Sequence, residues 1–162
     1  MDIVTSEFKK TVEDLIKNLK IEDFLDSEEF ELACKYNALP LGFDFLAYTF
    51  ITSDGEVIWH DFQDDCGKSN DSQGLINALV YGKERYPQLE KFIPNRSDLS
   101  KTCPVCEGTG IWKNSKNVVI GKPGNCVICA TLGWVTNECY EQIIHNPKSK
   151  IQNAKNPSNR NY

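Results

Sequence analysis

Residues 43–62 read FDFLAYTFITSDGEVIWHDF, and this stretch decides the fold. Phe43, Phe45, Ala47, Thr49 and Ile51 alternate with Asp44, Leu46, Tyr48 and Phe50. Neither set is polar enough to face water throughout, so the pattern predicts a central strand covered on both faces. Ser53-Asp54-Gly55-Glu56 follows. Asp-Gly between apolar runs signals a tight hairpin, because glycine readily takes the positive φ of a type I′ turn. The return strand, residues 56–62, places Val57, Trp59 and Asp61 on one side and Ile58, His60 and Phe62 on the other.

Upstream, Phe8, Val12, Leu15, Ile16 and Leu19 recur at helical spacing and predict a first helix over about residues 5–20. Asp26 and Glu29 have capping-box spacing and open a second helix carrying Phe30, Ala33 and Cys34, which must stop before Pro40. Cys34 reads as a small core residue. Downstream, DDCGKSNDSQG (64–74, with Gln63 before it) reads as a polar loop, after which Ser72 caps a helix with Leu75, Ile76, Leu79 and Val80. Leu89, Phe92 and Ile93 complete an apolar turn before Pro94. The expected fold class is α+β: helices packed on a small antiparallel sheet built from the 43–62 hairpin.

The last third has a different character. Residues 1–100 carry 20 acidic and 10 basic side chains, whereas residues 101–162 carry 3 and 8, giving −10 and +5. The expected organisation is an acidic α+β domain over 1–94, a connector over 95–102, a cysteine-bearing module over 103–147 ending in a short helix capped by Asn137, and a basic tail over 148–162. That tail has too few apolar side chains to offset chain entropy and reads as disordered.

The module contains C-x2-C, 19 residues, then C-x2-C: Cys103, Cys106, Cys126 and Cys129. Two cysteines three apart on a tight turn bring both sulfurs to one ion, and two such turns complete a tetrahedron. The expected cofactor is one structural Zn2+, held without an open coordination position. Disulfide redox work requires a thiolate at a helix N-terminus, but the flanking Gly108-Thr109-Gly110 and Gly133-Trp134 read as turns. Trp112 and Trp134 follow the two pairs and are candidates for a miniature core on a zinc-stapled hairpin.

Cys103-Pro104-Val105-Cys106-Glu107-Gly108-Thr109-Gly110 resembles the C-x-x-C-x-G-x-G repeat of the DnaJ cysteine-rich zinc domain. Cys126-Val127-Ile128-Cys129-Ala130-Thr131-Leu132-Gly133 resembles it with Thr131 in place of the first glycine. The resemblance covers residues 103–134, half of that domain. It implies one metal ion and a module of a kind that contacts other proteins. The order of elements over residues 28–93 is faintly similar to SUKH-type bacterial immunity proteins, which implies an acidic binder that blocks a toxin.

Asp61, Asp64, Asp65 and Asp71 form the candidate partner-binding edge, an acidic surface for a basic protein. His60 and Cys66 lie among them, but alternation sends His60 and Asp61 to opposite faces. Cys139 reads as a core residue of the last helix and His145 as a helix-end residue. The sequence has no Ser-His-Asp order, phosphate-binding loop or convincing carboxylate pair. The expectation is therefore not an enzyme but a cytoplasmic, zinc-stabilised interaction protein of immunity or adaptor type, bacterial or from a phage. The alternative is nucleic-acid binding by the basic module and tail, with Lys101, Lys113, Lys116, Lys122, Lys148 and Lys150 beside the tryptophans.

Overall fold

The structure is a computed structural model and describes residues 2–44, 47–111 and 124–146. The class is α+β: helices with a four-stranded antiparallel sheet, and a separate two-stranded pairing. The chain divides into two compact units, Met1–Pro94 and a second beginning at Asn95. No helix among the described residues is long and apolar enough to cross a membrane.

The first unit opens with α1 (Ser6–Lys17), capped by the Thr5 hydroxyl, which accepts from the Phe8 amide at 3.1 Å. Its stripe buries Phe8 and Val12. A 3-10 turn (Ile21–Asp23) leads into α2 (Ser27–Tyr36). Asp26 caps α2, its Oδ1 accepting from the Glu29 amide at 2.8 Å. The reciprocal half of a capping box does not form. Glu29 is fully buried, accepts from the Leu25 amide at 3.0 Å, and meets the Arg85 guanidinium at 2.9 and 3.2 Å. A buried carboxylate survives because this bidentate pairing compensates its lost hydration. Asn37 ends the helix in the left-handed region, φ 49°, a role asparagine tolerates better than most residues.

The sheet is a meander, β1 (Leu39–Asp44), β2 (Ala47–Ile51), β3 (Val57–Asp61) and β4 (Cys66–Ser69), in that order. This corrects the sequence reading twice. The run from 43 to 51 is not one strand: residues 43–44 end β1, which begins at Leu39, and Phe45 and Leu46 lie outside the described residues. In sequence Pro40 reads only as the stop of the second helix, but it lies within β1, an edge strand with a bulge between Pro40 and Gly42, where proline is tolerated. The second correction is β4, read as loop. Its pattern is hidden because Gly67 pairs with Trp59 and the indole occupies the space above it; a Cβ there would lie 2.6 Å from the ring. The β2–β3 connection is also longer than a two-residue type I′ turn. The Thr52 amide donates to the Glu56 carbonyl at 3.0 Å, and of Asp54 and Gly55 only Gly55 has positive φ, 85°.

Every residue of β3 is buried, so both faces are covered. One face packs Tyr48, Phe50 and Ile58 with Leu32, Ala33 and Ala38. α1 and α3 (Ser72–Gly82) contact the sheet at β1 and β3. The cap of α3 is Asp71 rather than Ser72, its Oδ1 accepting from the Gly74 amide. A 3-10 segment (Pro87–Phe92) buries Leu89 and closes the unit. Cys34, expected in the core, is exposed; on α2 the buried positions are Glu29, Leu32 and Ala33, one step round the helix.

The second unit pairs β5 (Lys101–Thr102) with β6 (Trp134–Val135) and ends in α4 (Asn137–His145). The α4 cap is Thr136, whose hydroxyl accepts from the Cys139 amide at 3.2 Å; Asn137 is the first helical residue. Cys139 and Ile143 turn inward with Ile128 and Val135 against the four cysteines. Trp134 is buried. The stretch holding Trp112, and residues 148–162, lie outside the described residues.

Candidate metal centre

Two turns carry the cysteines. After Cys106 the chain passes through Glu107 and Gly108 with φ 56° and 85°, then Gly110 with φ 75°. After Cys129 it passes through Ala130 and Thr131 with φ 51° and 73°, then Gly133 with φ 81°. The two halves therefore share one backbone path, offset by 23 residues (126 − 103). Thr131 follows it although a β-branched residue at positive φ is strained. This double left-handed step folds the chain back so that amides point at sulfur. Gly110 N–H donates to Cys106 Sγ and Gly133 N–H to Cys129 Sγ, each at 3.3 Å.

The halves lock on each other with the same symmetry. The Cys103 amide donates to the Gly133 carbonyl at 3.0 Å, and the Cys126 amide to the Gly110 carbonyl at 2.9 Å. Thr102 pairs with Trp134, and its counterpart Asn125 bridges to Ile111. Two glycines are obligatory for space as well as conformation. A Cβ on Gly110 would lie 2.5 Å from the Thr131 carbonyl oxygen, and one on Gly133 would lie 2.6 Å from that of Gly108.

The result brings all four sequence-identified sulfurs within 4.8 Å of one another, and all four cysteines are buried. Cys103 and Cys126 sulfurs stand 3.9 Å apart and Cys106 and Cys129 sulfurs 3.7 Å. A disulfide needs about 2.05 Å. A tetrahedron with metal–sulfur bonds of about 2.3 Å has edges of about 3.8 Å, so the cluster fits one tetrahedral ion. The electrostatics agree. Hydrogen bonds from Cys126 and Cys129 hold Cys103 well below the usual thiol range. The same shared hydrogen bonds, with burial, push Cys129 far up, and Cys103 pushes Cys126 up. Buried together, the four sulfurs cannot all be thiolates without a cation among them. With four sulfur ligands no vertex is left for a water or substrate. The donor set could hold one metal ion.

Of the four acidic residues of the candidate edge, Asp64, Asp65 and Asp71 are exposed and Asp61 is not. Asp61 is buried, its Oδ1 accepting from the Gln63 and Asp65 amides at 2.9 Å each, so it shapes a turn. Asp71 is held by its cap and by the Ser69 hydroxyl at 2.7 Å. Asp64 and Asp65 are exposed. His60 is buried with Nε2 3.1 Å from Asp64 Oδ1 and Nδ1 2.7 Å from the Tyr36 hydroxyl. Both ring nitrogens thus already have hydrogen-bond partners within the unit. Cys66 sits opposite His60 across β3 and β4. Burial and this cysteine push the Tyr36 hydroxyl up to about 12. Tyr36 was missed from sequence because it lies 24 residues from His60, and only the packing of α2 on the sheet joins them. His145 is exposed and pairs with Glu141 at 3.1 Å, outside the sulfur cluster.

Comparison of the chain with protein-family profiles, curated proteins and solved structures finds no match, so what is known of this centre is its four-sulfur geometry.

Proposed function

We propose that the chain is a non-catalytic interaction protein of immunity or adaptor type, with an acidic N-terminal unit that binds a basic protein and a C-terminal unit folded by one structural zinc ion. The closed sulfur cluster carries this reading. Cys103, Cys106, Cys126 and Cys129 are the ligands, with Cys139 and Ile143 packed against them. The ion would neutralise buried thiolates and tie the two turns together; in such a site zinc contributes folding free energy rather than reactivity. The net charge of −10 over residues 1–100 supports a basic partner.

Elemental analysis of protein purified without added zinc should give one zinc per chain. Absence of metal together with four freely titrating thiols in the folded protein would refute the zinc assignment. For the partner, affinity capture from the native host at about 50 mM and at about 500 mM salt should recover a basic protein only at the lower concentration. The nucleic-acid reading is supported by the +5 charge of residues 101–162. The burial of Trp134 removes one of its stacking surfaces. A filter-binding salt titration on single and double strands decides it, with no retention at about 50 mM salt ending the idea.

A further inference from the structure

Ile21, Leu25, Phe30 and Phe43 are exposed by 75%, 58%, 37% and 44%. They are half of the exposed large hydrophobic side chains among the described residues; ring contacts connect Phe30 and Phe43 through Phe24 and Tyr48, and Ile21 and Leu25 flank Phe24 in the chain. Phe24 meets Phe30 edge-on at 5.1 Å and packs against the cluster containing Tyr48. Phe43 meets Tyr48 edge-on at 5.0 Å. The Tyr48 hydroxyl donates to Asp26 Oδ2 at 2.6 Å, next to Leu25. The Phe24 amide closes the turn onto the Ile21 carbonyl. Scattered exposed apolar residues need no explanation, but a connected set on a charged rim marks a contact surface.

The rim has one sign. Of residues 20–31, six are acidic and only Lys20 is basic. Asp23, Asp26 and Glu29 are spent on structure: Asp23 accepts from the Lys20 amide at 2.8 Å, Asp26 caps α2, and Glu29 pairs with Arg85. Glu22, Glu28 and Glu31 remain exposed, interleaved in sequence with the apolar residues. The frame is fixed before any partner arrives, since Arg85 also donates to the Asp23 carbonyl at 2.5 Å. A preordered surface loses little conformational entropy on binding.

We infer that this patch, with Ile21, Leu25, Phe30 and Phe43 at its centre and Glu22, Glu28 and Glu31 at its rim, docks a basic amphipathic segment of a partner protein. The occupant follows from complementarity: apolar side chains to enter the centre, and lysine or arginine to meet the rim. The inference rests on the interaction reading above and moves the contact away from the 61–71 turn.

The test uses the full chain, labelled with 15N, and two synthetic peptides: a helix-forming lysine–leucine peptide with one tryptophan, and a control of equal charge with serine replacing leucine. The amphipathic peptide should shift the amides of residues 20–31, Phe43 and Tyr48 and bind at least tenfold tighter than the control. The double variant I21S/L25S should weaken it at least tenfold with an unchanged melting temperature, while D64N/D65N should not. Shifts centred on residues 61–65, or equal binding of both peptides, would overturn the patch and leave the acidic-binder reading standing. Binding of neither peptide anywhere on residues 1–94 would overturn both. Sedimentation showing a dimer that I21S/L25S dissociates would instead assign the patch to a second copy of the chain and overturn the proposal.

Discussion

The two units reach order by different physics. Residues 1–94 fully bury Phe8, Phe50, Leu39, Ile51, Ile58, Ile76, Leu79 and Leu89. Covering both faces of a four-stranded sheet yields enough apolar burial to offset chain entropy. Among the described residues of the unit from Asn95, the fully buried side chains are the four cysteines with Ala130 and Val135. Ile128, Val135, Cys139 and Ile143 share a single cluster with those four cysteines. Small folds with so little core need a staple. The first unit should therefore be indifferent to metal and sensitive to cavities, and the second the reverse.

The largest expected effect is on metal removal. Chelation at pH 7, or Cys129→Ser, should unfold the second unit, because a structural zinc contributes about 10–16 kcal/mol of apparent binding free energy to folding. In a 15N correlation spectrum the resonances of residues 101–111 and 124–146 should collapse while those of the β1–β4 sheet persist. Survival of dispersed resonances around Cys126 and Cys129 would contradict the comparison. The reciprocal change is Phe50→Ala, which leaves a cavity at a fully enclosed position and should cost about 3–5 kcal/mol in the first unit. Denaturant unfolding followed on first-unit amides should show this loss, with zinc content unchanged.

Acid should separate the units in order. Four sulfurs must bind metal as thiolates, so protons compete for every ligand and the metal leaves first as pH falls. In the first unit the hydrogen bond from Tyr48, then that from the Glu29 amide, hold Asp26 below the ordinary carboxylate range. A lowered folded pKa contributes stability that is present above the unfolded value of about 3.9 and lost as pH falls through the folded one. Zinc release, read with a colorimetric chelator, should therefore be complete before Asp26 begins to weaken the sheet unit. Simultaneous loss would show that the units are not independent. The smallest change is Thr131→Gly. Relief of positive φ at a β-branched residue, less the added chain entropy of glycine, should stabilise the second unit by on the order of 0.5–1 kcal/mol. Competition against a calibrated chelator should record tighter zinc retention.

What could be read from sequence divides along the same line. The four-sulfur cluster was legible because the spacing of Cys103, Cys106, Cys126 and Cys129 is local chemistry, and local chemistry leaves a pattern. Asp26 was legible for the same reason, since a cap reaches only three residues on. The α+β class was legible from residues 43–62 because period-2 alternation persists even where strand ends shift. β4 was not legible, as Cys66-Gly67-Lys68-Ser69 takes its place from the Trp59 ring on the neighbouring strand rather than from its own side chains. β1 was obscured by Pro40 and Gly42, whose edge position was unknowable before the sheet was ordered. Thr131 was marked as a departure, yet its backbone follows the glycine path because the sulfur amide bond at Gly133 and the pairing across to Gly108 and Gly110 leave no other. Asp61 reads as surface charge but is buried and accepts from two turn amides, which follows only once both faces of β3 are covered.

The bridge between Ile111 and Asn125 has a practical consequence. The chain leaves one cysteine turn and returns to the other at paired positions, so the ends of the connecting segment are fixed independently of how many residues join them. Labels attached at Ile111 and Asn125 would therefore report directly on whether the two cysteine turns are closed, without altering a sulfur.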